Sequence, residues 1–195
     1  MADEILFDRV RELQYVRLMK QKGKISLDDI TIRTELKPGD IGYIIYLHGK
    51  LYKEEYNYGI EFETYVAAGL CKFYKNYNPK KERVWICEHE NRIIGCLFLV
   101  NKVENGVKGD REAAQLRYFL LCPEYRGIGL GSKLIALYME FFHHCGYKKS
   151  FLWTTHELTA AAHLYLRAGF KLTEEKESTS FGKLLKEQRY DLVIR

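Results

Sequence analysis

Arg126-Gly127-Ile128-Gly129-Leu130-Gly131 is the stretch on which the fold turns, because of what flanks it. Before it runs Leu116-Arg117-Tyr118-Phe119-Leu120-Leu121-Cys122, an apolar, aromatic-rich segment that reads as a buried strand. After it, Ser132 to about Cys145 carries apolar residues at helical spacing. A glycine-rich turn from strand into helix exposes backbone N–H groups that find no partner within the helix. The helix dipole adds partial positive charge at the same end, so such a turn suits phosphate oxygens. Arg126 adds a permanent charge and a planar fork of donors.

Spacing decides which phosphate cradle this is. A dinucleotide fingerprint needs G-x-G-x-x-G, but here the third glycine, Gly131, comes one place early and Ser132 stands where it belongs. The acidic ribose contact of that fingerprint falls about 20 residues further on, where this chain has Phe151 and Leu152. A Walker loop needs G-x-x-x-x-G-K-[ST], and Gly127 followed five places on by Ser132 does not supply it. What remains is R-G-x-G-x-G, preceded by Cys122-Pro123-Glu124-Tyr125. That pattern resembles the acyl-coenzyme A signature of the GNAT superfamily of N-acetyltransferases.

The rest of the chain is consistent with one globular domain. Its 195 residues are enough for a sizeable core, with 47% hydrophobic and 29% charged residues. The net charge of +5 comes from scattered Lys and Arg, which does not make a nucleic-acid footprint but suits an anionic cofactor. The 15 tyrosines make a tyrosine-lined cleft an expectation. Five widely spaced cysteines with no C-x-x-C read as reduced, mostly buried thiols. Met1-Ala2-Asp3-Glu4 begins no apolar leader, and no apolar run approaches the roughly 20 residues of a membrane span. The expectation is a soluble, cytoplasmic protein.

Periodicity predicts a helix over about 3–22, with Leu6, Val10, Leu13 and Val16 on one face. A strand follows at Ile30–Leu36, then a turn at Pro38-Gly39-Asp40 and helices over Ile41 to about Tyr56 and Ile60 to about Tyr77. Val84–Glu88 and Ile93–Val100 make a hairpin around Glu90-Asn91, and 101–112 is a polar connector. Beyond the glycine turn come a short strand at Phe151–Thr154, a helix over Leu158–Arg167 and two strands near Phe170–Glu175 and Arg189–Ile194.

A finer likeness runs from about Ile32 to the end. Ile32-Arg33, Pro38-Gly39-Asp40-Ile41-Gly42, His48-Gly49, Leu51-Tyr52, Glu55-Tyr56 and Phe62-Glu63 resemble a GNAT group found as the C-terminal half of fusions with a MarR-type regulator. Trp153-Thr154, Ala160-Ala161, Tyr165, Ala168-Gly169-Phe170 and Ser180-Phe181-Gly182 continue the match. The resemblance implies an α/β (α+β) GNAT fold: a mixed central sheet of about six to seven strands, flanked by helices and splayed at the acetyl-CoA site. It divides the chain into a helical extension at 1–30 and an acetyltransferase domain at 31–195, the extension being too short for a winged helix. An apolar stripe on that extension would suit a homodimer.

The resemblance also implies roles. Acetyl transfer to an amine needs the thioester held, its carbonyl polarised, the amine deprotonated and the leaving thiolate protonated. Backbone groups of Leu120, Leu121 and Cys122 would face the thioester arm. The turn Arg126, Gly127, Ile128, Gly129, Leu130 and Gly131, with Ser132, would take the pyrophosphate. Thr155 stands where the group tends to have Asn, and its hydroxyl could serve similarly. Tyr165 is the candidate acid, since a phenol of ordinary pKa about 10 keeps its proton at neutral pH. Glu54, Glu55 and Glu63 are candidate bases, and His48 could titrate near neutrality. His143-His144-Cys145 is not read as a metal site, because neighbouring helix residues point to different faces.

The expected activity is acetyl-CoA-dependent N-acetylation of a small-molecule or peptide amine by direct attack, with neither a membrane nor nucleic acid as partner. The alternative is a non-catalytic acyl-CoA sensor, or a partner of a separate MarR-type regulator.

Overall fold

The computed structural model describes residues 25–103 and 112–194. The helix expected over 3–22 and most of the connector expected over 101–112 lie outside them.

Alternating apolar residues bury the sheet on both faces. In β2 (Arg83–His89), Val84 and Ile86 join the core on one side, and Trp85 and Cys87 the core on the other. β3 (Arg92–Val103) does the same, with Cys96, Phe98 and Val100 set against Leu97 and Leu99. The first core is closed by α1 (Asp40–Tyr56) and α2 (Ile60–Lys75) through Ile44, Leu47, Phe62, Val66 and Leu70. The second is closed by α3 (Leu130–His144) and α4 (Thr159–Arg167), α3 contributing Leu134, Tyr138 and Phe142. Helices on both faces are what two-sided burial of a sheet requires.

Seven strands form one sheet in the order β1-β2-β3-β4-β5-β7-β6, with β1 at Thr31–Arg33, β4 at Glu112–Leu121, β5 at Lys149–Thr155, β6 at Lys171–Ser178 and β7 at Leu185–Val193. This is the expected mixed sheet: β4 and β5 run parallel, and every other neighbouring pair is antiparallel. Arg33 ties the short β1 to the rest, reaching Asp40 of α1 and Glu88 of β2, each at 2.8 Å. Among the described residues no helix is long and apolar enough to cross a membrane. All five cysteines are free, and Cys87 and Cys96 are buried.

Two irregularities shape the centre. β4 and β5 pair only at Ala114–Ser150 and Gln115–Phe151, although β4 continues to Leu121 and β5 to Thr155. The strands therefore part beyond Gln115. On its other edge β4 bulges: Cys96 faces Leu120 and Phe98 faces Arg117, so Tyr118 and Phe119 stand opposite Leu97 alone. Tyr118 takes a φ of +52°, a conformation that bulky side chains rarely adopt.

Boundaries differ from expectation where pairing overrules composition. β3 runs on through Asn101 and Lys102, polar residues assigned to the connector, because they pair with Ala114 and Ala113 of β4. β1 keeps only three of the seven residues of Ile30–Leu36, since its pairing with β2 ends at Arg33.

Candidate active site

Two clefts meet where β4 and β5 part, and Tyr52, Phe119 and Leu158 line both. The first, of about 490 Å³, lies over the glycine turn. Gly127 and Gly129 have φ of +79° and +91°, left-handed values that glycine adopts without strain. The turn alternates: Gly127, Gly129, Gly131 and Ser132 line the cleft, whereas Leu130 is buried in the α3 core and Ile128 packs against it. Leu120 and Leu121 line the same cleft.

Arg126 does not stand alone there. Its guanidinium donates two hydrogen bonds of 2.7 Å to the Glu55 carboxylate, and its Nε–H donates to the Leu121 carbonyl at 2.9 Å. Glu55, read from sequence as a candidate base, is thus the partner of the candidate phosphate-binding arginine. Cys122 lines neither cleft. Its N–H donates to the Ile94 carbonyl at 2.8 Å, and burial pushes its thiol up to about 11. A thiol that keeps its proton at neutral pH is a poor nucleophile.

The second cleft, of about 440 Å³, is walled by aromatic rings from across the chain, Tyr58, Trp153 and Tyr165 among them. Tyr52 comes from α1, Phe62 and Tyr65 from α2, Tyr118 and Phe119 from the β4 bulge, and Phe181 from the β6–β7 connection. That connection is pinned by the Gly59 N–H, which donates to the Phe181 carbonyl at 2.9 Å. A Cβ on Gly182 would stand 3.1 Å from the Gly59 Cα, so the two glycines permit the approach. Phe181 then lies 5.5 Å from Tyr58 and 5.0 Å from Phe62, centre to centre.

Tyr165 lines this cleft and is 4% exposed. Burial, and then Tyr190, push its phenol well above the ordinary value, so it is a neutral donor. Tyr52 is raised too, first by burial and next by Tyr165, which places the two phenols within electrostatic reach where the clefts join. Thr155 also lines the second cleft and not the first, with its hydroxyl hydrogen-bonded to Tyr58 at 2.7 Å. His48 lines it as well, but the expectation of titration near neutrality is corrected. Burial lowers its pKa to about 4, while the Nδ1–H donates to the Ile44 carbonyl at 2.8 Å. Glu54 and Glu63 line neither cleft: Glu54 is exposed, and the Glu63 carboxylate stands beside Gly49 between α1 and α2.

Sequence reasoning missed the bulge at Tyr118 and the cleft charges Arg117, Lys176 and Glu187. No turn residue marks the bulge, and the three charges are far apart in sequence.

Residues 47–170 match the model of the acetyltransferase (GNAT) family. The chain belongs to that family. An uncharacterized N-acetyltransferase of Escherichia coli, YjgM, is 32% identical over 108 residues, which are 55% of this chain and 62% of that protein. N-acetyltransferase 8F1 of Rattus norvegicus is 27% identical over 65% of this chain and 58% of its own length. The match thus spans about three fifths of these curated relatives. Among solved structures, a ribosomal-protein-alanine N-acetyltransferase from Brucella melitensis superposes with a TM-score of 0.66 at 18% identity, over 84% of this chain and 99% of that one. A spermidine N-acetyltransferase from Vibrio cholerae, solved with CoA and spermine, gives 0.61 at 21% identity, over 85% and 96%. The two superpositions show that this GNAT chain shares its overall fold with them.

Proposed function

We propose that this GNAT chain transfers an acetyl group from acetyl-CoA to an amine by direct attack in a ternary complex. The observation that carries the reading is the junction of two clefts at Tyr52, Phe119 and Leu158, with the glycine turn in one and Tyr165 in the other. A molecule that only sensed acyl-CoA would need one cleft.

The first cleft fits the cofactor. Gly127, Gly129 and Gly131 bring no side chain between backbone and ligand, and Ser132 and Arg126 add polar groups beside them. Bound acetyl-CoA supplies the thioester that makes the acetyl carbon electrophilic. Tyr165 holds the proton that the departing thiolate needs. Its raised pKa keeps that proton in place across the working pH range. The protonated Cys122 argues against an acyl-enzyme. The aromatic walls give the amine's carrier an apolar surface to pack on and so position it. The finer likeness to MarR-fused acetyltransferases rests on sequence motifs between Ile32 and Gly182 and bears on ancestry more than on chemistry.

The test is a thermal shift with acetyl-CoA combined with thiol release on a panel of amines. Stabilisation together with amine-dependent thiol release is expected. Stabilisation with no release on any amine, peptides included, would leave a binder and overturn the enzyme.

A further inference from the structure

We infer that the acceptor amine carries a carboxylate, received by Arg117, and an apolar group, received by the aromatic wall of the second cleft. The inference rests on the reading of that cleft as the acceptor site.

Charge singles out one residue. Three charged residues line the cleft: Arg117, Lys176 and Glu187. Lys176 and Glu187 pair at 3.5 Å, and the Lys176 ammonium lies 4.4 Å from the centre of the Trp153 ring. That leaves Arg117. Its guanidinium is held by neutral groups: Nη2 donates to the Tyr65 hydroxyl at 2.9 Å, and its carbon lies 5.3 and 4.7 Å from the ring centres of Tyr65 and Tyr118. Among the described residues no carboxylate pairs with it. Rings stacked against a guanidinium fix its plane without cancelling its charge, and its remaining N–H groups form a fork matched to a carboxylate.

The field also says what the cleft rejects. A polyamine would bring several positive charges to walls that already carry an excess of one, and like charges brought together are unfavourable. A zwitterion such as an apolar or aromatic amino acid places its carboxylate on Arg117 and its side chain on the rings. The cleft volume of about 440 Å³ accommodates a ligand of that size.

L-phenylalanine and phenethylamine differ only by the carboxylate, so they isolate it. Thiol release at saturating acetyl-CoA should favour phenylalanine in kcat/KM by about 10- to 100-fold, the range of a charge-assisted hydrogen bond, mostly through KM. Spermidine should be a poor acceptor. Arg117→Gln should lose far more on phenylalanine than on phenethylamine, and Arg117→Lys should keep part of the preference. Melting temperatures and the acetyl-CoA thermal shift establish that both variants are folded. Equal or better transfer to phenethylamine or spermidine overturns the carboxylate site while acetyl transfer stands. Should no amine release thiol, calorimetry with N-acetyl-L-phenylalanine and CoA decides. Binding weakened by Arg117→Gln keeps the carboxylate site while acetyl transfer falls, and binding indifferent to Arg117, or none, overturns the site.

Discussion

Arg126 and Glu55 are joined by two hydrogen bonds of 2.7 Å, so a carboxylate from α1 neutralises the cation beside the glycine turn. Their hydrogen bonding is the main cause raising the Arg126 pKa. An anionic ligand in the first cleft must compete with Glu55 for Arg126. Glu55→Gln should therefore tighten CoA and acetyl-CoA binding by roughly 3- to 10-fold at low salt, consistent with the modest worth of a solvent-accessible ion pair. The gain should shrink as salt rises. Weaker binding measured by calorimetry would mean that the pair shapes the cleft instead of guarding it.

Tyr165→Phe removes a hydroxyl and keeps the ring that packs 6.2 Å from Phe119 and 6.0 Å from Tyr190. Turnover should fall by about 10- to 1000-fold, with acetyl-CoA affinity nearly unchanged. A parental rate at saturating substrates would remove Tyr165 as the acid.

Gly129→Val puts a branched side chain on a turn residue that lines the first cleft, with its Cβ 3.5 Å from a Leu27 methyl and its backbone at φ +91°, so the turn must shift to accept it. A left-handed non-glycine residue costs about 1–2 kcal/mol, which a domain of this size survives. The acetyl-CoA thermal shift should vanish while the melting transition remains. Gly146→Val is the matched control, because Gly146 has φ +73° at the far end of α3 and lines neither cleft. It should lose comparable stability and keep the thermal shift. Loss of the shift in both variants would trace it to general destabilisation.

Tyr58 and Thr155 share a hydrogen bond of 2.7 Å while 2% and 4% exposed. Tyr58→Phe strands the Thr155 hydroxyl and should destabilise by about 1–3 kcal/mol. Thr155→Val on that background should recover part of the loss. Urea denaturation of the cycle should give a coupling on the order of 1 kcal/mol, and strict additivity would show that the two hydroxyls do not depend on each other.

His48 is fully buried, and burial lowers its pKa to about 4 from an ordinary 6.5. The fold thus prefers the neutral ring. Its contribution is complete above pH 6.5 and is lost progressively as pH falls through 4. The whole loss is about 3 kcal/mol, since each tenfold change in proton affinity is worth about 1.4 kcal/mol. The melting temperature should fall between pH 6.5 and 4, and His48→Gln should flatten that fall. An equally steep fall in the variant would assign it to other groups.

The fold was legible because its signals are local. Alternation in β2 and β3, turn residues at Pro38-Gly39 and Glu90-Asn91, and the glycine turn each fix an element within a few residues. The first cleft was legible in part for the same reason, since one strand–turn–helix segment, Phe119 to Ser132, supplies one of its walls, while α1 and the 157–167 segment supply the rest. The second cleft was legible only as an expected tyrosine lining. It is assembled from α1, α2, the β4 bulge, β5, α4, β6, β7 and the β6–β7 connection, and no spacing rule links Arg117 to Glu187 or Tyr58 to Phe181. The candidate glutamates failed to gather there because helical phase decides which residues reach a cleft. Glu55 turns toward Arg126, Glu63 toward Gly49, and Glu54 toward solvent.

With only Ala114–Ser150 and Gln115–Phe151 stitching β4 to β5, the molecule is mechanically a pair of tongs. One plate is β1–β4, the other β5, β7 and β6, and each is laced along its own length by antiparallel ladders. The pivot is stiffened by the buried Tyr138–Ser150 hydrogen bond of 2.7 Å, which clamps α3 to β5 at the closed end. The jaws open at Leu121 and Thr155, so a small rotation about the seam would alter the gap there most. Amide exchange should map that lever directly: slow at Ala114 and Ser150, and faster at those amides of β4 beyond Gln115 that face the gap and not β3.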